Sequence, residues 1–422
     1  MFKTLANAWK IPEIRNKILF TLLMLLIYRI GAWIPIPGVN LDFIASQVEG
    51  TDMLGMMNLF SGGALQNMTI FALGITPYIN ASIIMNLLTV AIPKLERLAK
   101  EGDDGRKKIS SITRFVGVIL GLVQAIAILL SMGSGALQED HWFNYLTVIV
   151  CLTAGTALIM WIGERITEKG IGNGISLLIF VSIISSVPQM VMEIGRELSA
   201  GVLDFWMFML LIGLVFVIVL GITFVDLGER RIPVQYAKRV VGRKMYGGQS
   251  THIPMKVNQS GVMPLIFAMT IIMFPGMLAQ LFSDGGNSDF YIWYNQYLAP
   301  GTIAYMIIYA LLIFFFSYFY SQIAFNPVDV SKNLQQNGGF IPGIRPGKPT
   351  SDHLAKILSR ITLFGAIFLA LVATVPVLLQ IITPAMGIFG ATSILIMVSV
   401  ALETTKQLEA QMMMRHYKGF LN

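Results

Sequence analysis

The chain has 422 residues, 55% of them hydrophobic and 13% charged, with a formal net charge of +7. That balance excludes an ordinary soluble globular domain. A single cysteine, Cys151, excludes an intrachain disulfide and a thiolate metal cluster.

Ten apolar stretches are predicted to span a bilayer: 18–36, 69–91, 112–133, 144–163, 173–192, 206–226, 260–282, 301–323, 358–382 and 388–405. Most approach the roughly 20 residues a helix needs to cross the hydrocarbon. The loops between them alternate in charge. Of 30 Lys and Arg, 28 fall on one side together with 13 acidic residues, whereas the other side holds Arg196 against 10. Positive loops stay in the cytosol, so both ends are expected there. The basic N-terminus and first span resemble a secretory signal. No small-residue cleavage site follows and nine more spans do, so a retained first helix is expected. Arg29 lies inside it.

The outer segment 37–68 contains an apolar, Gly-rich piece from Met53 to Asn67. It is too short to span and is predicted to be re-entrant. On the inner side, loop 92–111 is basic, with Lys94, Arg97, Lys100, Arg106, Lys107 and Lys108. The two longest inner loops, 227–259 and 324–357, mix basic residues with Gly and Pro and should project into the cytosol. Topology and lipid contact explain such charge in part, but these two loops are longer than topology requires.

A repeat runs through the chain. Gly74-Ile75-Thr76-Pro77-Tyr78-Ile79 and Gly261-Val262-Met263-Pro264-Leu265-Ile266 share Gly-x-x-Pro-x-Ile, 187 residues apart. Spans one and six are offset by 188, and spans three and eight by 189. An odd number of spans per repeat inverts the second half, the arrangement of transport proteins whose pathway lies between halves. The halves are expected at 1–200 and 201–422.

Arg29 is the one ionisable residue well inside a span; Glu164, Asp226 and Glu403 lie near span ends. Ion-coupled transporters usually keep carboxylates or His near the midplane. Gly347-Lys348-Pro349-Thr350 resembles a phosphate loop only superficially, since Pro349 stands where Ser or Thr is required. No catalytic residues, metal ligands or cofactor are expected.

Four long stretches resemble the SecY family of protein-translocation channels. They are Ala72 to Ile84, Trp161 to Ser176, Gln249 to Asn258, and Pro342-Gly343-Ile344-Arg345-Pro346-Gly347, in order along the chain. The resemblance implies an all-α polytopic membrane protein of the bacterial plasma membrane, with two inverted five-helix halves around an hourglass pore. It implies a ring of six apolar side chains at the waist: Ile75, Ile79, Ile175, Ile179, Ile266 and Ile396. Spacing alone reads as ordinary core or lipid-facing isoleucine. Stiff β-branched residues in a ring should dewet and block ions, yet yield around a threading peptide.

The same resemblance makes Met53 to Asn67 a plug, with Asn58, Phe60, Ser61, Gly62 and Gly63. It makes helices two, three, seven and eight a lateral gate, where Asn80, Asn86 and Gln124 could bond; the family usually has Gln at the position of Asn86. It makes the long loops a docking site for the SecA motor ATPase and the ribosome, through Arg345 and through Arg230, Arg231, Lys238, Arg239, Arg243 and Lys244. Implied partners are SecE, SecG, SecA, the ribosome, signal peptides, unfolded preproteins and lipid. The rival expectations are a secondary transporter of a small solute and a membrane-embedded enzyme.

Overall fold

Three of the described helices start on proline, at Pro12, Pro93 and Pro327, in the first turn where a missing N–H leaves no bond unmade. The computed structural model describes residues 8–50, 52–139, 141–201, 204–236, 239–241, 244–246, 250–281, 289–298, 302–382 and 391–418. The helices are α1 (Pro12–Gly31), α2 (Leu41–Gly50), α3 (Asp52–Ser61), α4 (Thr76–Ala91), α5 (Pro93–Lys100), α6 (Asp103–Met132), α7 (Trp142–Lys169) and α8 (Gly174–Ser199). They continue as α9 (Phe205–Leu227), α10 (Met263–Leu281), α11 (Asp289–Tyr297), α12 (Ile303–Ala324), α13 (Pro327–Gln336), α14 (Lys348–Ile382) and α15 (Ala391–Lys418). A helix lies in each of the ten apolar stretches. Among the described residues six are long and apolar enough to cross a membrane, or up to seven if the bent pair α4 and α5 is one span.

The chain packs as two units. The first comprises Met1–Phe208, Met269–Tyr305 and Val400–Asn422; the second comprises Met209–Ala268 and Met306–Ser399. In the first, α6 packs on α4 and α7, and α7 on α1 and α8. Its core includes Ile44, Leu65, Met68, Leu129, Val148 and Leu152. Lipid is as apolar as these side chains, so close fit rather than water exclusion holds such helices together. α9 is apolar on every face and leaves Trp206 and Phe224 82% and 80% exposed. A helix hydrophobic all round belongs in a core or in lipid, and this one is outward-facing.

The second expected span begins later than its apolar run. Residues 69–75 form turns, and Thr69 bridges to Pro35. α4 then runs 16 residues, and the chain bends by 100° at Ile92 into α5.

The fold is helical, but the two long loops are not plain coil as an all-α reading implies. β1 (Glu229–Tyr236) pairs antiparallel with β4 (Ser250–Lys256), and its end pairs with β5 (Gly339–Phe340), giving the order β4-β1-β5. β2 (Arg239–Val241) and β3 (Lys244–Tyr246) form a separate pair. The cause is local alternation: Ile232 and Val234 point inward while Arg231, Pro233 and Gln235 stay exposed. Pro233 sits beyond the two residues that β5 pairs, where β1 has an open edge that tolerates a missing N–H. Ile232, Val234 and Met255 close on Leu334, Ile341, Leu354 and Leu358 from the other loop and the start of α14. Each such side chain contributes about 1.5–3 kcal/mol when taken from water.

Candidate functional site

Both copies of the Gly-x-x-Pro repeat build the same start to a helix. Gly74 has φ +58° and Gly261 φ +61°, a left-handed turn that favours glycine. In the first copy the N–H groups of Tyr78 and Ile79 both donate to Ile75 O at 3.1 Å. In the second, Leu265 and Ile266 both donate to Val262 O at 3.2 Å. The residues match at the same 187-residue offset, so each unit projects an isoleucine, Ile79 or Ile266, from the first turn of its helix. Ile75 caps α4 and is buried; Ile79, one turn on, is half-buried.

Ile175 and Ile179 lie on the first two turns of α8. Asn173 fixes that start, its side-chain oxygen accepting from Ile175 N at 3.1 Å and Ser176 N at 3.4 Å. Ile175 is half-buried and Ile179 buried. In the second unit Ile266 and Ile396 are both buried.

The segment implied to be the plug is α3 and the turns after it. Asn58 Oδ1 accepts from Gln66 N at 3.0 Å, and Ser61 Oγ accepts from Leu65 N at 3.2 Å. These bonds fold the tail 62–67 back on the helix end. Ser61 is buried, whereas Asn58, Phe60, Gly62 and Gly63 are half-buried. α3 packs on α8. Asn80 and Asn86 sit half-buried on α4, and Gln124 is buried on α6, which packs on α4. In the second unit Phe267 of α10 meets Phe316 and Tyr320 of α12 edge to face, with centroids at 5.8 and 5.7 Å.

The sheet β4-β1-β5 physically joins the two long loops. Arg230 and Arg231 are exposed on β1, and Arg231 pairs with Glu229 at 2.7 Å. Arg345 is exposed on a turn whose backbone is pinned: Thr350 Oγ1 donates to Arg345 O at 2.8 Å, and Ser331 Oγ to Gly347 O at 2.7 Å. The side chain is exposed while its anchor is fixed. Arg239 and Lys244 fall in β2 and β3; Lys238 and Arg243 lie outside the described residues. On the shorter basic loop, Lys100 Nζ donates to Glu96 at 2.6 Å and holds that carboxyl below its ordinary range.

Asp226, at the end of α9, accepts from Asn258 Nδ2 at 2.9 Å and from Ser399 Oγ of α15. It ties the sheet module to two helices, a role its span-end position did not announce.

Comparison with known families matches SecY over residues 69–405. Protein translocase subunit SecY of Streptomyces galbus is 45% identical over 441 residues, covering 100% of both chains. The protein of the same name from Mycobacterium tuberculosis is 44% identical over 445 residues, again covering 100% of both. Among solved structures, one described as a protein conducting channel aligns with a TM-score of 0.67 at 19% identity, over 93% of this chain and 91% of that one. Sec61 in a canine ribosome–channel complex from the endoplasmic reticulum aligns with a TM-score of 0.62 at 17% identity, over 93% and 91%. At that identity the likeness is one of fold.

Proposed function

The chain belongs to the SecY family, and on that premise we propose that it is the pore subunit of a bacterial plasma-membrane protein translocase. It passes unfolded secretory polypeptides across the bilayer and releases apolar helices sideways into it. Ten spans in two inverted halves, 1–200 and 201–422, surround the path, with both termini in the cytosol. The observation that supports the repeat is the helix start shared by Gly74 and Gly261, alike in hydrogen bonding and with Gly, Pro and Ile in common; five spans in each half would then invert the second.

Ile75, Ile79, Ile175, Ile179, Ile266 and Ile396 form the waist, and Met53 to Asn67 plugs it from outside. Asn80, Asn86 and Gln124 act at the gate. Bonds between such groups are worth only about 0.6–2 kcal/mol in a membrane, which suits a seam that must reopen. The chain is a passive conduit. Work comes from SecA or from the ribosome, docked on Arg345, Arg230, Arg231, Lys238, Arg239, Arg243 and Lys244, and the small subunits SecE and SecG clamp the helices. The sheet that unites the two loops supports one docking surface rather than two.

The test is transport. Vesicles holding the chain with its two small partners, supplied with SecA and ATP, should protect an unfolded preprotein from external protease. Protection equal to that of empty vesicles, or uptake of small solutes without SecA, contradicts the reading.

A further inference from the structure

Arg29 lies in the last turn of α1, inside the first apolar span. Such a residue is costly in lipid and marks function when its partner can be named. Arg29 Nη1 donates to Ser185 Oγ on α8 at 2.9 Å and to Gly62 O, just past the end of α3, at 3.4 Å. Ser185 Oγ lies 3.4 Å from the same carbonyl and donates to Ser182 O at 2.6 Å. Ser182 Oγ donates to Leu178 O at 2.9 Å, so Tyr28 OH, 2.6 Å from Ser182 Oγ, is the donor in that pair. Adjacent residues of α1 therefore grip adjacent turns of α8, and the plug's tail is held at the junction.

The chemistry at that junction is specific. The last carbonyls of a helix lack intrahelical partners and carry the negative end of its dipole. A guanidinium there satisfies both needs. Nothing larger than glycine fits at position 62: a Cβ would stand 2.7 Å from Ser185 Oγ and 3.0 Å from both Arg29 Nη1 and Ser182 Cα, at φ +69°.

We propose that Arg29 is the latch of the plug: held by Ser185, it ties the end of α3 to α8 through Gly62 O, and the plug leaves only when that bond passes to water. The proposal rests on the reading of Met53 to Asn67 as a plug. A hydrogen bond to a charged group, here a long one, sets the size of the effect. Losing it should raise the resting open probability about tenfold.

The experiment measures resting ion flux through the full chain with its small partners in planar bilayers. The variants are Arg29→Gln, Arg29→Lys, Ser185→Ala, a deletion of 53–61, and the deletion combined with Arg29→Gln. The latch predicts about a tenfold rise for Arg29→Gln, a smaller one for Arg29→Lys and Ser185→Ala, and no addition by Arg29→Gln to the deletion. If the deletion leaks while Arg29→Gln and Ser185→Ala stay as tight as wild type, the latch is wrong and the plug survives. If the deletion is tight, both readings fall. An equal increment from Arg29→Gln with and without the plug also overturns the latch. Should Arg29→Gln not assemble, Ser185→Ala decides alone.

Discussion

Three glycines in spanning helices should answer the same substitution in three different ways. A Cβ at Gly213 of α9 would meet nothing within 4 Å among the described residues, so Gly213→Ala keeps the contacts seen and removes backbone freedom from the unfolded chain. The gain is about 0.5–1 kcal/mol. Gly365 of α14 faces Val257 O, which a Cβ would meet at 2.8 Å. Carbon and carbonyl oxygen touch at about 3.3 Å, so one partner must retreat by about 0.5 Å. Overpacking of that size costs about 1–2 kcal/mol, leaving a net loss of roughly 0.5 kcal/mol. Gly155 of α7 is tighter still: a Cβ would fall on the carbonyl oxygen of Ile70, in the turn that leads into α4. Backbone stands on both sides and no side chain can swing away. Gly155→Ala should lose about 2 kcal/mol or more, and because the turn carries Ile75, resting conductance should rise with it. Thermal scans of purified protein in one detergent at one scan rate give the order. Gly213→Ala should melt about 1–3 °C above wild type, Gly365→Ala near it and Gly155→Ala about 4–6 °C below. Equal shifts for all three, or Gly155→Ala as stable as wild type, would refute the packing argument.

Replacing Ile79 and Ile179 together with Asn should wet the waist and raise resting ion conductance at least about tenfold; a channel as tight as wild type contradicts the ring. Arg345→Glu reverses an exposed charge on a pinned turn, so melting should hold within about 0.5 kcal/mol while SecA-driven transport is lost; full transport refutes the docking role. Asp226→Ala strands Asn258 and Ser399, both buried, and should cost about 2–4 kcal/mol, with Asp226→Asn milder because an amide still accepts one bond. Equal melting of Asp226→Ala and wild type would count against that node.

The helix positions were legible because an apolar run of spanning length has few other uses. The repeat at Gly74 and Gly261 was legible too, as an echo inside two apolar runs, but that each copy opens a helix came only from the structure. Thr69 to Ile75 was not: its composition is as apolar as a helix, and the bridge from Thr69 to Pro35 comes from elsewhere in the chain. The sheet was missed for a related reason. Alternation in Glu229–Tyr236 is visible locally, but its pairing of Gln235 with Phe340 is not written in either segment alone. The charge of Arg29 stood out in sequence, whereas its partners, Gly62 and Ser185, emerged only from packing.

The most direct measurement arrests a secretory polypeptide midway and asks what it touches. A photo-cross-linking residue replaces Ile79, Ile179 or Ile266 in turn, with Phe224, exposed on α9, as the control. Strong adducts are expected from the three isoleucine positions and almost none from Phe224. Adducts from Phe224 as frequent as those from the isoleucines would contradict the waist.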